Sequence, residues 1–102
     1  MNSEELKLMI GKAHSLQPVI MIGQAGLTDP VLNEIELALN NHELIKIKVR
    51  AERDTRKLIQ EAIIAATNAE LIQSIGQVIV IYRKKPEVEP KKKKQGSRRR
   101  DY

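Results

Sequence analysis

Residues 18–49 decide the fold, and they read PVIMIGQAGLTDPVLNEIELALNNHELIKIKV. The apolar run at 18–22 is typical of a strand buried on both faces. The run at 44–50, LIKIKVR, alternates apolar and basic side chains, as a half-buried strand does. Between them, an N-cap at Thr28 predicts a helix that ends near residues 40–41. Its buried stripe is expected to be Val31, Leu32, Ile35, Ala38 and Leu39. The two strands of such a unit should be parallel, joined by a right-handed crossover.

Two further helices are predicted, one on each side of this unit. Asn2 or Ser3 can cap the first helix, and Asp54 or Thr55 can cap the third. The apolar positions recur at helical spacing in both segments. They are Leu6, Met9, Ile10 and Ala13 in the first helix, and Leu58, Ile59, Ala62, Ile63 and Ala66 in the third.

The last structured segment is predicted to be a β-hairpin. LIQSI (71–75) and VIVIYR (78–83) are strand-like runs separated by Gly76 and Gln77. The order of elements is then αβαβαββ. This order predicts an α/β fold, a single-domain sandwich with a four-stranded mixed sheet.

Composition excludes several kinds of protein. Aromatic residues make up only 2% of the 102 residues, so the core must be aliphatic, and base stacking on aromatic side chains is nearly excluded. The chain has no cysteine, which argues against disulfides and thiolate metal sites. No secretory signal pattern and no apolar run of membrane-spanning length is present. We therefore expect a cytoplasmic protein with no membrane partner.

The segment GQAG at 23–26 lies where a strand leads into a helix. Helix amides and the missing glycine side chains make such loops frequent anion sites, although many contain glycine only for geometry. Neither GxGxxG nor a Lys-Ser/Thr pair follows, so a nucleotide-binding fold is not expected. Because Gln24 and Ala25 are uncharged, a phosphate would be held by backbone amides and by basic groups elsewhere. Taken by itself, the segment 23–26 favours a plain turn over an anion site.

Basic residues cluster on and just after the second predicted strand. They are Lys46, Lys48, Arg50, Arg53, Arg56 and Lys57. Glu52 and Asp54 dilute the cluster but leave an excess of positive charge. One interpretation is a phosphate-contacting stripe beside the glycine loop. The other is a solvated face, since lysines on an edge strand discourage aggregation.

The stretch 18–49 resembles the CRM domain (chloroplast RNA splicing and ribosome maturation). The shared pattern is an apolar strand, then G-x-x-G-L-T, then a helix, then a strand that reads like ELIKIKV. The segments LKLMIGKAHSLQPV and IGQVIVIYR also fit, so the resemblance covers about residues 3–84. The whole chain is similar to the stand-alone bacterial, YhbY-type members. The resemblance implies a fold related to the C-terminal domain of bacterial translation initiation factor three.

The resemblance also implies RNA binding, with a loop analogous to that of KH domains. In KH domains the loop joins two helices, whereas here it is predicted between a strand and a helix. The loop residues carried over are Gly23, Gln24, Ala25 and Gly26. Leu27 would then anchor the loop exit in the core, and Thr28 would cap the helix. The implied function is non-catalytic binding of rRNA in pre-large-subunit particles, without cofactor or small-molecule substrate and with ribosomal proteins as possible neighbours.

The C-terminal segment differs in charge from the rest of the chain. Residues 84–102 carry nine Lys/Arg and three acids, whereas residues 1–83 carry nine and ten. We expect residues 1–84 to form the domain and residues 85–102 a disordered basic tail. This tail would neutralise RNA phosphates without sequence preference, or act only as a solubilising end. The tail residues assigned to RNA are Lys91, Lys92, Lys93, Lys94, Arg98, Arg99 and Arg100.

A protein-binding adaptor is the alternative function. It would use the acidic side of the second helix and its exit, at Glu34, Glu36 and Glu43, or an exposed sheet edge. These carboxylates otherwise indicate solvated surface. The two histidines, His14 and His42, are isolated, so a metal site is not expected. No arrangement of catalytic residues is apparent, and the chain is not expected to be an enzyme.

Overall fold

The computed structural model describes residues 2–85, and its elements follow the predicted order αβαβαββ. The helices are α1 (Ser3–Ala13), α2 (Asp29–His42) and α3 (Arg53–Thr67). The strands are β1 (Ile20–Ile22), β2 (Leu44–Val49), β3 (Glu70–Ile75) and β4 (Val78–Tyr82). The α/β class predicted from the sequence is confirmed. In the described part of the chain, no helix is long and apolar enough to cross a membrane.

The four strands form one mixed sheet in the order β1-β2-β4-β3. β1 and β2 are parallel, with Ile20 opposite Ile47, as the strand–helix–strand pattern predicts. β4 runs antiparallel to both β2 and β3. Gly76 occupies a positive φ of 55° in the hairpin turn, a conformation that glycine adopts without penalty. The predicted parallel pair and antiparallel hairpin are both confirmed.

The main core lies between one face of the sheet and helices α2 and α3. From the sheet, its residues are Ile20, Ile22, Ile45, Ile47, Val49, Ile79 and Ile81. From the helices and the turn before β3, they are Ile35, Leu39, Ile59, Ile63 and Ala69. All are aliphatic, as the composition requires. Burial of these side chains is the dominant stabilising term for the fold.

Helix α1 covers part of the opposite face. Ala13 of α1 packs with Leu44, Ile72 and Val80 in a second, smaller core. Asn2 caps the helix: its side chain accepts from the Glu5 amide at 2.8 Å, and the Glu5 carboxylate accepts from the Asn2 amide at 3.0 Å. This reciprocal capping box confirms Asn2 as the start of the first helix.

The prediction that 18–22 forms a strand buried on both faces is wrong. β1 contains only residues 20–22, and the side chain of Met21 is 56% exposed between buried Ile20 and Ile22. The reason is its position at the edge of the sheet, because α1 packs on β2 and β3 and leaves the outer face of β1 uncovered. A strand covered on a single face shows this alternation of burial.

The suggestion that β2 carries lysines because it is an edge strand is also wrong. β2 lies between β1 and β4 and is hydrogen-bonded on both sides. Lys46 and Lys48 therefore project from an interior strand, where they protect no open edge. Protection of an edge against aggregation cannot explain these two lysines.

Helix α2 follows the prediction closely except at its end. Thr28 Oγ1 accepts from the Val31 amide at 3.4 Å, and Ile35 and Leu39 are fully buried. The helix continues past residues 40–41 to His42, and Glu43 ends it with a positive φ of 65°. Contacts from the far end of β4, described below, hold Glu43 in this conformation.

Helix α3 begins earlier than expected and buries only Ile59 and Ile63 of its predicted stripe. Its N-cap is Glu52, which makes no side-chain cap hydrogen bond, so neither Asp54 nor Thr55 caps it. Arg56 Nη1 instead donates to the Ala51 carbonyl at 2.8 Å, a bond that holds the start of the helix. The buried stripe is Ile59, Ile63 and Thr67, whereas Leu58, Ala62 and Ala66 are exposed. Thr67 tolerates burial because its hydroxyl donates to the Ile63 carbonyl at 2.8 Å.

Arg83, just after β4, joins the C-terminal ends of α2 and α3. Its guanidinium forms an ion pair with Glu36 at 2.8 Å and donates to the Thr67 carbonyl and Asn40 Oδ1, each at 2.9 Å. The Glu43 carbonyl accepts from the Arg83 amide at 2.9 Å. Glu36 and Glu43 therefore both contact Arg83 within the fold, whereas Glu34 is exposed, as expected for solvated surface.

The described chain ends beside the start of β2. The Lys85 amide donates to Glu43 Oε2 at 2.9 Å. The prediction of a disordered basic tail concerns residues 85–102, and from residue 86 onward it lies outside the described residues.

Candidate nucleic-acid interface

The segment Gly23–Gly26 forms a tight turn between β1 and α2. The Gly26 amide donates to the Gly23 carbonyl at 3.0 Å, which closes the turn. Gln24 and Ala25 at its tip are exposed, and their amides have no hydrogen-bond partner within residues 2–85. The turn therefore presents two adjacent backbone donors to solvent. The predicted position between a strand and a helix is confirmed.

The two glycines of the turn have different roles. Gly26 has a φ of +75°, which an L-residue adopts only with strain. A Cβ placed on Gly23 meets no atom within 4 Å, and no positive φ is recorded there. The fold therefore requires glycine at 26 but not at 23. The open space at Gly23 allows a ligand to approach the backbone closely.

The start of α2 offers fewer donors than a typical helix N-terminus. Pro30 has no amide hydrogen, and the Val31 amide is taken by the Thr28 hydroxyl. Asp29 adds a carboxylate in the first turn. Leu27 packs against the main core, so its predicted anchoring role is confirmed. An anion at this loop would thus be held mainly by the turn itself rather than by the helix.

Three chain segments meet at this end of the sheet. The Arg50 amide donates to the Ile22 carbonyl at 2.9 Å, which places Arg50 directly beside the glycine turn. The Val49 amide donates to the Gln77 carbonyl at 2.6 Å, which brings the β3–β4 turn to the same end. We call this the loop end. The opposite end, where Glu43 and Arg83 meet, is the closed end.

The structure divides the six predicted cations between the two faces of the sheet. Lys46 lies opposite Val80, and Lys48 lies opposite Val78. Val80 packs in the core beneath α1, so both lysines are on the α1 side. The Arg50 guanidinium lies 3.8 Å from Met21 Sδ, on this same side. We call Lys46, Lys48 and Arg50 the sheet-face group.

The other three cations lie on the α2–α3 side. Arg53, Arg56 and Lys57 line a groove of about 560 Å³ together with Asp54, Gln60, Ser74 and Gly76. Ser74 pairs with Ile79, whose side chain belongs to the main core, so this groove opens on the opposite side from Lys46. We call Arg53, Arg56 and Lys57 the α3 group. Lys46, Lys48 and Arg50 therefore share one face as the strand alternation predicts, whereas the α3 group lies on the opposite side of the sheet.

None of these six cations has a carboxylate partner in the described part of the chain. Within residues 2–85, no carboxylate lies within 4 Å of either group, and Arg83 makes the one ion pair there. Arg56 is half-buried and bonded to the Ala51 carbonyl, so its position is fixed by the fold. The remaining five project into or beside open surface. Unpaired surface cations in groups are the usual electrostatic basis for binding a polyanion.

The sheet-face group also has apolar neighbours that the sequence did not reveal. Val19, Met21 and Ile75 are more than half exposed. Met21 lies opposite Lys48, Lys48 opposite Val78, and Val78 opposite Ile75, so Met21 and Ile75 lie at the two ends of one row across the sheet. Strand order creates this row, because β1 and β3 are the outer strands. No local sequence pattern indicates it.

The described residues show no constellation suited to a metal. Within residues 2–85, no group of three or more His, Asp or Glu side chains is placed to hold a metal ion. His14 lines a shallow groove with Lys46 and Gln73, whereas His42 borders a different groove with Lys12 and Leu16. The two histidines therefore do not form a common site.

Comparison with known proteins shows that the sequence matches one family. Over residues 1–83 the chain matches the model of the CRS1 / YhbY (CRM) domain. It is 49% identical over 84 residues to an "RNA-binding protein" of Haemophilus influenzae, covering 81% of this chain and 85% of that protein. It is 42% identical over 87 residues to the "Probable RNA-binding protein PA4753" of Pseudomonas aeruginosa, with 84% of each chain covered.

A solved structure agrees with these matches. The "hypothetical protein SAV1595" from Staphylococcus aureus superimposes with a TM-score of 0.73 at 33% sequence identity, covering 88% of this chain and 95% of that one. Sequence and structure thus agree over the same αβαβαββ unit. The chain belongs to the CRS1 / YhbY (CRM) domain family.

Proposed function

We propose that this chain is a non-catalytic RNA-binding protein that binds rRNA in pre-large-subunit particles during ribosome assembly. Family membership supports the RNA-binding part, since the relatives from Haemophilus influenzae and Pseudomonas aeruginosa carry names that state RNA binding. The role in ribosome assembly rests on the family resemblance alone. The RNA would be contacted at the loop end of the sheet.

The observation that carries the proposal is the open glycine turn beside unpaired cations. Gln24 and Ala25 are exposed, their amides have no hydrogen-bond partner in the described chain, and Gly23 leaves room above the backbone. Arg50 lies next to this turn. A phosphate oxygen can accept from such amides while the guanidinium neutralises its charge.

The turn and the cations have different tasks in this proposal. The turn carries no charge at Gln24 or Ala25, so it supplies shape and two hydrogen-bond donors. Affinity comes from the sheet-face and α3 groups through release of counterions from the RNA. Thr28 contributes through the capped start of α2, which holds the exit of the turn. Because Tyr82 is the only aromatic residue among residues 2–85, recognition depends on the RNA backbone and shape rather than on stacking.

The basic tail is proposed to add non-specific attraction. Its seven assigned residues, Lys91–Lys94 and Arg98–Arg100, follow a chain that leaves the domain near Glu43 at the closed end. Removing residues 86–102 should make the logarithm of the binding constant less dependent on the logarithm of the salt concentration. An unchanged salt slope would show that the tail does not contact phosphates.

The direct test replaces Gly23, where the fold makes no demand on the side chain. Gly23→Asp places a carboxylate beside the two donor amides, and we expect precursor-rRNA affinity to fall about tenfold, which corresponds to about 1.4 kcal/mol. The matched control is Gly11→Asp, because a Cβ at exposed Gly11 also meets no atom within 4 Å. Affinity is measured by fluorescence anisotropy, with circular dichroism to verify folding. Equal affinity for both variants would refute a role for the turn.

A protein-binding adaptor is the second candidate. The exposed Val19, Met21 and Ile75 favour it, because grouped apolar side chains on a surface often mark protein contacts. The acidic alternative has lost support, since Glu36 and Glu43 are engaged within the fold. Association with pre-ribosomal particles that survives nuclease digestion would favour the adaptor. Release on digestion would favour RNA binding.

A further inference from the structure

The α3 group forms a second basic surface that the glycine turn and the sheet-face group do not reach. Its groove is bounded by the first turns of α3 on one side and by Ser74 and Gly76 of the β3–β4 hairpin on the other. The buried side chains of Ile47, Val49 and Ile79 separate it from Lys46 and Lys48. One phosphate therefore cannot contact Lys46 or Lys48 together with the α3 group.

The groove is built to present positive charge. Arg56 is held by its bond to the Ala51 carbonyl, so its remaining N–H donors are oriented before any ligand arrives. Arg53 and Lys57 are exposed, and neither is paired with Asp54 or any other carboxylate of residues 2–85. The groove thus has three cations against one carboxylate.

Both basic groups lie near the loop end. Lys48 pairs with Val78, the first residue after the Gly76-Gln77 turn, and Gly76 itself borders the α3 groove. The turn at the hairpin is thus a narrow edge with one basic group on each side. A nucleic acid that contacts Lys46 and Lys48 as well as the α3 group must place its backbone on both faces of the sheet.

We infer that the protein binds two separate RNA backbone segments, one on each face of its sheet, and therefore selects folded RNA in which two segments lie close together. This inference rests on the proposed RNA binding and adds the class of RNA. Two linked contacts raise affinity through effective concentration, provided that the RNA holds both segments at the right spacing. A single short strand can occupy only one face at a time.

The test uses the full-length chain with two RNA probes. One is a synthetic three-way junction, and the other is an oligouridylate of about eight nucleotides, within the site size of a single-strand groove. The variants are Lys46→Glu/Lys48→Glu, Arg53→Glu/Lys57→Glu, and the combination of all four changes. Lys84→Glu is the matched control, because this exposed lysine lies beside Arg83 at the closed end. If the half-buried lysines do not tolerate glutamate, Lys46→Gln/Lys48→Gln replaces that variant.

We expect the wild type to bind the junction at least about tenfold more tightly than the short strand. Binding of the short strand that is too weak to detect would agree with this expectation. Each double charge reversal should weaken junction binding about tenfold, and the two effects should multiply in the variant that combines all four changes. Charge reversal on one face should change the affinity for the short strand no more than about threefold, because the cations on the other face still bind it.

Two results would overturn the inference while leaving RNA binding intact. Junction affinity that matches the control after Arg53→Glu/Lys57→Glu would show that the α3 groove serves another ligand, such as an acidic protein. Equal losses for both probes on each reversal would show one continuous site. Failure of the wild type to bind either RNA would refute the proposed function itself.

Discussion

The two ends of the central sheet use their charged residues in opposite ways. At the closed end, Arg83 is bonded to Glu36, Asn40 and the Thr67 carbonyl. At the loop end, the one partner of the Arg50 guanidinium within residues 2–85 is the sulfur of Met21, and Arg53 and Lys57 have no carboxylate within 4 Å there. The same residue type thus stabilises the fold at one end and remains available to a ligand at the other.

This difference separates stability from binding in a testable way. A cation bonded to partly buried acceptors stabilises the folded state, because its removal leaves those acceptors unsatisfied. An exposed, unpaired cation contributes little to folding. Substitutions at the closed end should therefore lower the free energy of unfolding, whereas substitutions at the loop end should lower RNA affinity.

The largest effect is expected for Arg83→Ala, which should lower the free energy of unfolding by about 2 kcal/mol. The change removes one ion pair and leaves the Thr67 carbonyl without its donor. Urea denaturation followed by circular dichroism measures the loss. Arg83→Met keeps much of the apolar stem and should lose nearly as much, which attributes the effect to the polar bonds. A loss below about 0.5 kcal/mol would remove the structural role assigned to the closed end.

Arg50→Glu should produce the next largest effect, about a tenfold loss of rRNA affinity, or about 1.4 kcal/mol, and a salt slope lower by about one. The free energy of unfolding should change by less than about 0.5 kcal/mol, since Arg50 is exposed. Fluorescence anisotropy in a salt series gives both quantities. Lys84→Glu carries the same change of charge at the closed end, and an equal loss in that variant would contradict a binding surface confined to the loop end.

Substitution of the two glycines of the turn should have different effects on the stability of the protein. Gly26→Ala forces a side chain into a φ of +75° and should cost about 1 kcal/mol. Gly23→Ala should change the free energy of unfolding by less than about 0.5 kcal/mol, because nothing surrounds its Cβ position. Thermal unfolding of both variants provides the comparison. Equal costs would show that the turn needs glycine at both ends for conformation, which would weaken the ligand interpretation of Gly23.

The smallest effect is expected for Thr28→Ala, about 0.5 kcal/mol, at the low end for loss of an N-cap. The Val31 amide lies 3.4 Å from Thr28 Oγ1, a long hydrogen bond. The capping box of α1 has shorter hydrogen bonds, so Asn2→Ala should lower the free energy of unfolding by about 1 kcal/mol and serves as the reference. Chemical denaturation of the two variants measures both. A larger loss at Thr28 than at Asn2 would show that the loop end depends on this cap more than its geometry indicates.

Sequence reasoning succeeded where the controlling interactions are local. Thr28 was predicted as a cap, and Asn2 was one of two candidates with Ser3, because a cap acts within three residues of itself. The alternation in β2 was predicted correctly because side chains in a strand alternate between its faces. The stripe of α3 was misplaced by one position, because the alanines and Leu58 fit a helical period as well as Ile59 and Ile63 do. Only packing against the sheet selects between these stripes.

The candidate site was predicted in its residues but not in its arrangement. The glycine turn lies between a strand and a helix as expected, because the order of elements alone determines that. The start of α2 offers fewer free amides than a helix N-terminus usually does, because Pro30 has no amide hydrogen and the Thr28 hydroxyl accepts from the Val31 amide. The division of the cations between two faces depends on which residues of β3 and β4 lie beside β2 and α3. Such contacts span tens of residues and leave no periodic signal.

The sequence by itself therefore determined the element order, the cap of α2, the parallel pair, the hairpin, and the family pattern at the glycine turn. These follow from periodicity, capping chemistry and glycine conformation, which are properties of short segments. The tertiary structure alone decided that β1 is an edge strand and β2 an interior one. It also decided that Arg83 is paired while Arg50 is not, and that Lys48 and Arg53 lie on opposite faces. The physical reason is that burial and charge pairing depend on neighbours brought together by the strand order, not on neighbours along the chain.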